Sequence, residues 1–165
     1  MQKEQNKAQT FTLSEEGIAL IKKEMARYET KLSCLIPGLY QIQKEKGWIS
    51  PEAVQWLSQQ TGIPESHIQE VLMFYTLFNR KPVGKLHVQV CCNVSCFMQG
   101  GAELVKRICE AFQVKEGEVS TDGNWTVSRV ECLGACDLAP AMQVNDQYLG
   151  KLKGERAIHV LRGLK

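Results

Sequence analysis

The sequence predicts a chain of the α+β or α/β class, in which a bundle of helices precedes a small domain of strands and helices. In the first half, apolar residues recur at the spacing of an amphipathic helix, as in the run from Ile18 to Tyr28. Pro82 and Gly84 interrupt this pattern, and from Leu86 onward apolar and polar residues alternate as in a strand. The second half then reads strand, helix, strand, hairpin and helix, an order typical of a small α/β domain.

Length and composition agree with two small globular domains. The chain has 165 residues, of which 44% are hydrophobic, enough for packed cores. We expect a flexible N-terminus at 1–10, a helical domain at 11–80 and an α/β domain at 81–165. A net charge of +2 gives no basic field for nucleic acid. The sequence contains no apolar run of about 18 residues, so we expect no direct membrane insertion. The polar first ten residues do not resemble a secretory signal.

Cap residues, prolines and glycines mark the predicted helix ends in the first half. Thr12 with Glu15 resembles a capping box ahead of the first helix. Ser50-Pro51-Glu52 combines a cap residue, a proline and an acid, which is a strong helix start. The other predicted ends are Pro37 and Gly47 for the second helix, Gly62 for the third and Pro64-Glu65 for the start of the fourth.

Turn signals separate the predicted elements of the second half. Leu86, Val88 and Val90 alternate with polar residues and predict a strand. The elements expected after it are a helix from Gly100-Gly101 that buries Leu104, Val105, Ile108 and Phe112, a turn at Asp122-Gly123, a strand over Trp125, Val127 and Val130, a hairpin at Asn145-Asp146-Gln147 between Met142-Val144 and Tyr148, and a helix from Gly154 to Leu164.

Clustered cysteines after two of these strands are candidate ligands of a metal centre. Five of the seven cysteines form two tight groups, Cys91, Cys92 and Cys96, then Cys132 and Cys136. A secreted disulfide scaffold usually spreads an even number along the chain, so the clusters favour metal ligation. Each iron of a [2Fe–2S] cluster needs two protein thiolates besides the bridging sulfides. Two strand-end loops with two thiolates each would supply that set.

Spacing alone leaves two alternatives open. A structural zinc site used for protein docking also takes four cysteines, although its pairs commonly span two residues, and neither pair here is Cys-x-x-Cys. The lack of Cys-x-x-Cys also argues against a dithiol oxidoreductase. The remaining alternative is a free-standing ferredoxin with no fixed partner.

Longer motifs carry a family resemblance over most of the chain. The most specific segment is Cys132-Leu133-Gly134-Ala135-Cys136, which is followed by Ala139-Pro140. It resembles the thioredoxin-like [2Fe–2S] subunit of respiratory complex I, the NADH-quinone oxidoreductase. The other similar segments are Val90-Cys91-Cys92-Asn93-Val94-Ser95-Cys96, Gly47-Trp48-Ile49-Ser50-Pro51-Glu52-Ala53, Phe74-Tyr75-Thr76-Leu77-Phe78 and Lys81-Pro82-Val83-Gly84-Lys85.

The resemblance implies a helical domain followed by a thioredoxin-like domain whose cluster is held by Cys91, Cys96, Cys132 and Cys136. It implies an oxidoreductase subunit that transfers electrons without a substrate site of its own. FMN and NAD would bind to a flavin-bearing, NADH-oxidising partner subunit, and this sequence indeed lacks a Gly-x-Gly-x-x-Gly motif after a strand. The implied place is cytoplasmic, or the cytoplasmic side of the inner membrane in a peripheral arm. Similar modules serve NAD-linked hydrogenases and formate dehydrogenases.

Other notable residues have plainer interpretations. Cys92 could ligate instead of Cys91, but neighbouring strand residues point to opposite faces. Cys34 and Cys109 are expected to be small core residues, and the three scattered histidines, His67, His87 and His159, to be structural or solvated. We expect a helix-core role for the stripe of Leu72, Phe74, Tyr75 and Phe78. The basic group of Lys22, Lys23, Arg27 and Lys31 is expected to be solvated. An apolar shell around the cluster is expected from Phe97, Met98, Leu133 and Leu138.

Overall fold

The computed structural model describes residues 11–164, and the predicted flexible N-terminus at 1–10 lies outside them. The chain divides between Pro82 and Val83 into two compact units, each with its own core. Among the described residues, no helix is both long enough and apolar enough to span a bilayer.

Helices are the regular secondary structure of the first unit over its described residues, and its four α-helices are α1 (Glu15–Arg27), α2 (Leu35–Lys46), α3 (Pro51–Thr61) and α4 (Glu65–Phe74). A 3₁₀ turn at Lys31–Cys34 leads into α2, which therefore begins two residues before the predicted Pro37. Ser50 caps α3 as predicted, since its hydroxyl accepts from the Ala53 N–H at 3.2 Å. The core of this unit includes Leu39, Ile42, Leu57, Ile68 and Leu72.

The cap of α1 differs from the prediction, because Ser14 and not Thr12 occupies the cap position. The Ser14 hydroxyl accepts from the Gly17 N–H at 3.0 Å. Glu45 of α2 accepts from the Ser14 N–H at 2.9 Å, so a distant carboxylate takes the place expected for Glu15 in the capping box. These contacts lower the pKa of Glu45, led by the Ser14 N–H. A residue from another helix completes this cap, and spacing along α1 cannot reveal that.

The aromatic stripe at the end of α4 is only partly core, contrary to the prediction. Leu72 and Phe78 are buried, whereas Phe74 is 78% exposed. Phe74 lies on the opposite side of the helix end from Ile68 and Leu72, and its ring contacts Tyr75 edge to face at 5.0 Å between centroids. The basic residues of α1 are exposed, as expected.

The second unit is a four-stranded sheet with helices packed against it. Its elements are β1 (Leu86–Cys91), α5 (Val94–Met98), α6 (Gly101–Ala111), β2 (Trp125–Val130), β3 (Ala141–Val144), β4 (Gln147–Gly150) and α7 (Gly154–Arg162). The strand order is β2-β1-β3-β4, with β1 and β2 parallel and the other two pairs antiparallel. The crossover from β1 to β2 contains α6, as parallel strands require.

The register of the parallel pair brings both cysteine groups to one end of the sheet. Leu86 pairs with Trp125 and Cys91 with Val130, so β1 and β2 end side by side. The loop that carries Cys132 leaves β2 at this end. The strand predictions therefore agree with the structure, although Gln147 belongs to β4 and the hairpin turn is only Asn145-Asp146.

Helix α5 is the main element missing from the prediction. It has five residues, fewer than two turns, so no apolar periodicity can be recognised in it. Asn93 caps it by accepting from the Val94 N–H at 2.9 Å. As a result, Cys96 lies on a helix and not in an irregular loop.

Candidate metal centre

The first cysteine pair is buried where β1 meets α5. Cys91 is the last residue of β1 and Cys96 lies in the middle of α5, and both are 3% exposed. The two thiols interact, since Cys91 raises the pKa of the Cys96 thiol. The Cys96 sulfur also accepts from the N–H of Ala141, the first residue of β3, at 3.5 Å. A central strand, a short helix and a second strand thus hold these two sulfurs.

The second pair occupies the exposed segment between β2 and β3. Cys132 and Cys136 are both exposed. Gly134 has a φ of +70°, in the left-handed region, and its N–H donates to the Cys132 sulfur at 3.3 Å. The positive φ of Gly134 therefore turns the backbone so that this N–H faces the Cys132 sulfur. Cys136 begins a 3₁₀ turn that ends at Leu138.

Hydrogen bonds join the two cysteine segments to each other and to the sheet. The side-chain amide of Asn93, next to the first pair, donates to the Glu131 carboxylate beside Cys132 at 3.2 Å. The Tyr148 hydroxyl of β4 donates to the Leu133 carbonyl at 3.1 Å. The Lys151 N–H donates to the Leu138 carbonyl at 2.8 Å. Both ends of the second segment are therefore attached to neighbouring elements.

Apolar side chains cover part of the centre, but not all of those expected. Leu133 and Leu138 are half-buried and pack against the buried side chains of Cys91, Cys96 and Ala141. The expectation that Phe97 and Met98 belong to the same shell is wrong, since they are 62% and 78% exposed. Helical spacing in α5 turns Cys96 inward, and the residues that follow it face outward.

Burial and neighbouring sulfurs determine the protonation of Cys96. Burial raises the pKa of its thiol, the Ala141 N–H lowers it, and the nearby sulfurs of Cys91 and Cys136 raise it again. Cys136 therefore lies close enough to interact with the first pair. Without a cation the Cys96 thiol holds its proton, and a bound metal would displace that proton as it binds.

The remaining cysteines and histidines have the plainer roles expected of them. Cys92 packs against the main core of the second unit and not toward Cys91 and Cys96. Cys109 packs against that same core, and Cys34 is buried in the helical unit. Burial lowers the pKa of His87 to about 4, and its Nε2 lies 2.8 Å from the Ser128 hydroxyl. Within the part of the chain that the structure describes, no three His, Cys, Asp or Glu side chains surround a single-ion site.

The donor set fits a binuclear cluster. Such a cluster asks for two thiolates at each of two irons, not three or four ligands around one point. The chain offers two pairs of thiols, two backbone N–H donors already aimed at sulfur, and a partly apolar cover. Sulfur-directed N–H groups and apolar cover are the features that tune iron–sulfur centres.

Comparisons with known proteins agree with this assignment. A family described as thioredoxin-like [2Fe-2S] ferredoxin matches residues 21–165. An NADH-quinone oxidoreductase subunit from Rhizobium meliloti is 37% identical over 88% of this chain and 86% of its own. NADH-quinone oxidoreductase subunit 2 of Thermus thermophilus is 35% identical over 88% of this chain and 82% of its own.

Solved structures share the fold. A crystal structure of NAD+-reducing [NiFe]-hydrogenase in the air-oxidized state superposes with a TM-score of 0.63 at 23% identity. The match covers 80% of this chain but only 22% of that one, so this chain spans about a fifth of the hydrogenase chain. At this identity the likeness concerns the fold alone.

Proposed function

Because the chain belongs to the thioredoxin-like [2Fe–2S] ferredoxin family, we propose that it is the electron-transfer subunit of an NADH-quinone oxidoreductase and holds one [2Fe–2S] cluster on Cys91, Cys96, Cys132 and Cys136. The observation that carries the proposal is the parallel register of β1 and β2, which places two cysteine pairs at one end of the sheet. The domains that we propose are a helical domain at 11–80 and a cluster domain at 81–165.

When bound, the cluster would supply reversible uptake of one electron at a time. The residues of this chain would hold it and tune it. Cys91 and Cys96 would anchor one iron in the buried part of the fold, and Cys132 and Cys136 the other at the surface. The N–H groups of Gly134 and Ala141 would stabilise negative charge on the sulfur atoms, and Leu133 and Leu138 would limit the access of water.

The chain is a subunit of a multi-subunit oxidoreductase, and the partner that we propose is the flavin-bearing, NADH-oxidising subunit. Two relatives whose similarity extends over most of this chain are named as subunits of NADH-quinone oxidoreductase. The exposure of Cys132 and Cys136 supports the proposal, because a redox partner can approach that side of the centre closely. The proposed place is the cytoplasmic side of the inner membrane, in the peripheral arm of the complex.

Identity to relatives favours this parent complex over the alternatives. The NADH-quinone oxidoreductase subunits from Rhizobium meliloti and Rickettsia bellii are 37% and 33% identical to this chain. The equivalent subunit of an NAD-linked hydrogenase or formate dehydrogenase remains an alternative. A zinc docking module agrees less well with the [2Fe-2S] family match, and a free-standing ferredoxin agrees less well with relatives that are named as subunits of a complex.

Anaerobic purification with iron and sulfide analysis tests the proposal. We expect a red-brown protein with about two irons and two sulfides per chain that bleaches on reduction. Cys132→Ser and Cys136→Ser should lose or alter the cluster, whereas Cys109→Ser, a matched substitution at a half-buried thiol that packs against the core of the same unit, should retain it. Wild-type spectra in both ligand variants would overturn the ligand assignment. A colourless protein with bound zinc would establish the docking module instead.

A further inference from the structure

Gly101, the first residue of α6, lies directly against the backbone of the inner cysteine pair. A Cβ placed on Gly101 would lie 2.6 Å from the Cys91 carbonyl oxygen and 3.0 Å from that of Cys96. The optimal separation of two carbon atoms is about 3.5–4.0 Å, and a Cβ at 2.6 Å from a carbonyl oxygen is closer than real Cβ atoms approach any neighbour. The obstructing atoms belong to the main chain, so no side-chain rotation can relieve the contact. A side chain here would have to push Cys91 and Cys96 away from α6.

Gly150, the last residue of β4, has the same relation to the outer pair. A Cβ on Gly150 would meet the Leu138 Cβ and would lie 2.7 Å from the Leu138 carbonyl oxygen. Leu138 ends the 3₁₀ turn that Cys136 begins, and its carbonyl accepts from the neighbouring Lys151 N–H at 2.8 Å. A side chain at Gly150 would therefore displace the turn that carries Cys136.

Backbone conformation does not explain either glycine. Neither residue has a positive φ, in contrast to Gly100 and Gly134. Alanine is also the better helix former, so helix propensity disfavours glycine at position 101. The missing Cβ therefore matters because of the space it leaves, and at both positions that space is taken by the backbone of a cysteine-bearing segment.

We propose that Gly101 and Gly150 are positioning residues for the metal centre, and that each allows one cysteine pair to lie close enough to the frame of the fold to share a cluster. This inference rests on the proposed function, since it treats the four cysteines as ligands. Its structural part, the separation of the inner cysteine pair from α6, is independent of the metal.

The chain offers a matched control in Gly84. A Cβ on Gly84 would lie 2.6 Å from two backbone atoms of Trp125, so the obstruction is equally severe. Gly84 is buried and has no positive φ. It precedes β1, at the end of the parallel pair opposite to Cys91 and Val130. Gly84→Ala should therefore strain the same sheet without touching a cysteine segment.

The first test compares the full-length cluster-bound proteins carrying Gly101→Ala, Gly150→Ala or Gly84→Ala. The measurements are the visible circular dichroism of the cluster, the EPR spectrum after reduction and the rate of iron release to a chelator. Altered spectra and about ten- to hundred-fold faster release are expected for the first two variants, which is the factor by which loss of residues that orient metal ligands typically lowers metal affinity. Gly84→Ala should lower Tm but keep wild-type spectra and release.

The second test uses the apo-protein, so that failure of the proposed function is distinguishable from failure of this inference. The alkylation rate of Cys96 is divided by that of Cys109, which is half-buried against the core of the same unit and reports changes in the exposure of that core. Gly101→Ala should raise this ratio, whereas Gly84→Ala should raise both rates in parallel. A wild-type protein without iron would refute the proposed function and leave this ratio to test the packing.

Two results would overturn the inference. The first is iron release and cluster spectra like those of wild type in both Gly101→Ala and Gly150→Ala. The second is a change of the same size in Gly84→Ala, which would show only general destabilisation. If Gly101→Ala does not fold, Gly150→Ala decides by the same spectra and release rates, because its contact is with a surface turn and not with the sheet.

Discussion

The stability of the second unit should depend on pH through His87, a buried histidine in the central strand β1. The residue is 8% exposed, and burial lowers its pKa to about 4 from 6.5. Its Nε2 lies 2.8 Å from the Ser128 hydroxyl on β2. The perturbation is acidification from pH 7.5 to pH 5, which charges this side chain in the unfolded chain but not in the folded one.

The sign and size follow from proton linkage. Between pH 6.5 and pH 4 the unfolded chain binds more protons at His87 than the folded chain does, so this contribution to stability is lost as the pH falls. At about 1.4 kcal/mol per pH unit, a pKa of about 4 in place of 6.5 corresponds to at most about 3.4 kcal/mol in acid. At pH 5 the expected loss is about 2 kcal/mol, and at pH 7.5 it is close to zero.

Urea unfolding at a series of pH values, with His87→Gln as the reference, isolates this contribution. Glutamine retains a group that can hydrogen-bond with Ser128 but does not titrate, so the other titrating groups cancel in the difference. The free energy of unfolding of wild type minus that of His87→Gln should fall by about 2 kcal/mol from pH 7.5 to pH 5. His159→Gln, at an exposed site, controls for loss of a histidine. A difference that stays constant within about 0.5 kcal/mol, or an NMR titration of His87 centred above pH 6, would refute the reasoning.

Four further substitutions test the centre and its surroundings. Cys92→Ser should leave iron content and spectra unchanged, because this thiol packs into the core; loss of iron would make it a ligand. Asn93→Ala removes the α5 cap and the hydrogen bond to Glu131, so we expect a loss of about 1 kcal/mol in urea unfolding and faster iron release to a chelator. Gly134→Ala places a side chain at a φ of +70°, which costs about 1 kcal/mol, so EPR and iron analysis should show an altered or partly lost cluster. Phe97→Ser should keep the cluster and weaken co-purification with the flavin-bearing subunit, because this apolar ring is 62% exposed on the helix that carries Cys96; unchanged co-purification would show that Phe97 lies outside the contact with that subunit.

Helix ends and strands were predictable where a local pattern determines them. Ser50 and Gly47 lie at caps whose chemistry is contained within a few residues, and both agree with the structure. Leu86, Val88 and Val90 alternate as a strand must when the helix α6 packs on one face of it. The cysteine pairs were recognisable as candidate ligands because two thiols per iron is a requirement of the chemistry and not of the fold.

Features that depend on distant contacts were not predictable. Glu45 completes the cap at Ser14 from another helix, and no spacing rule connects residues so far apart in the chain. Phe97 and Met98 resemble core residues by type, and only the orientation of α5 places them outside. Gly101 and Gly150 look like ordinary turn glycines in the sequence, because the backbone that occupies their missing side-chain space comes from other segments.

The strand order has a consequence for how the centre would open. Cys91 ends the inner strand β1, which is hydrogen-bonded to a strand on each side. The segment with Cys132 follows β2, the edge strand, whose outer side forms an isolated bridge between Val119 and Thr126. Strands paired on both sides are the last to exchange their amide protons, and exposed border segments are the first. Local opening of the fold should therefore move Cys132 and Cys136 away from the centre while Cys91 and Cys96 stay in place. Metal would then both enter and leave the centre through the surface formed by Cys132 and Cys136.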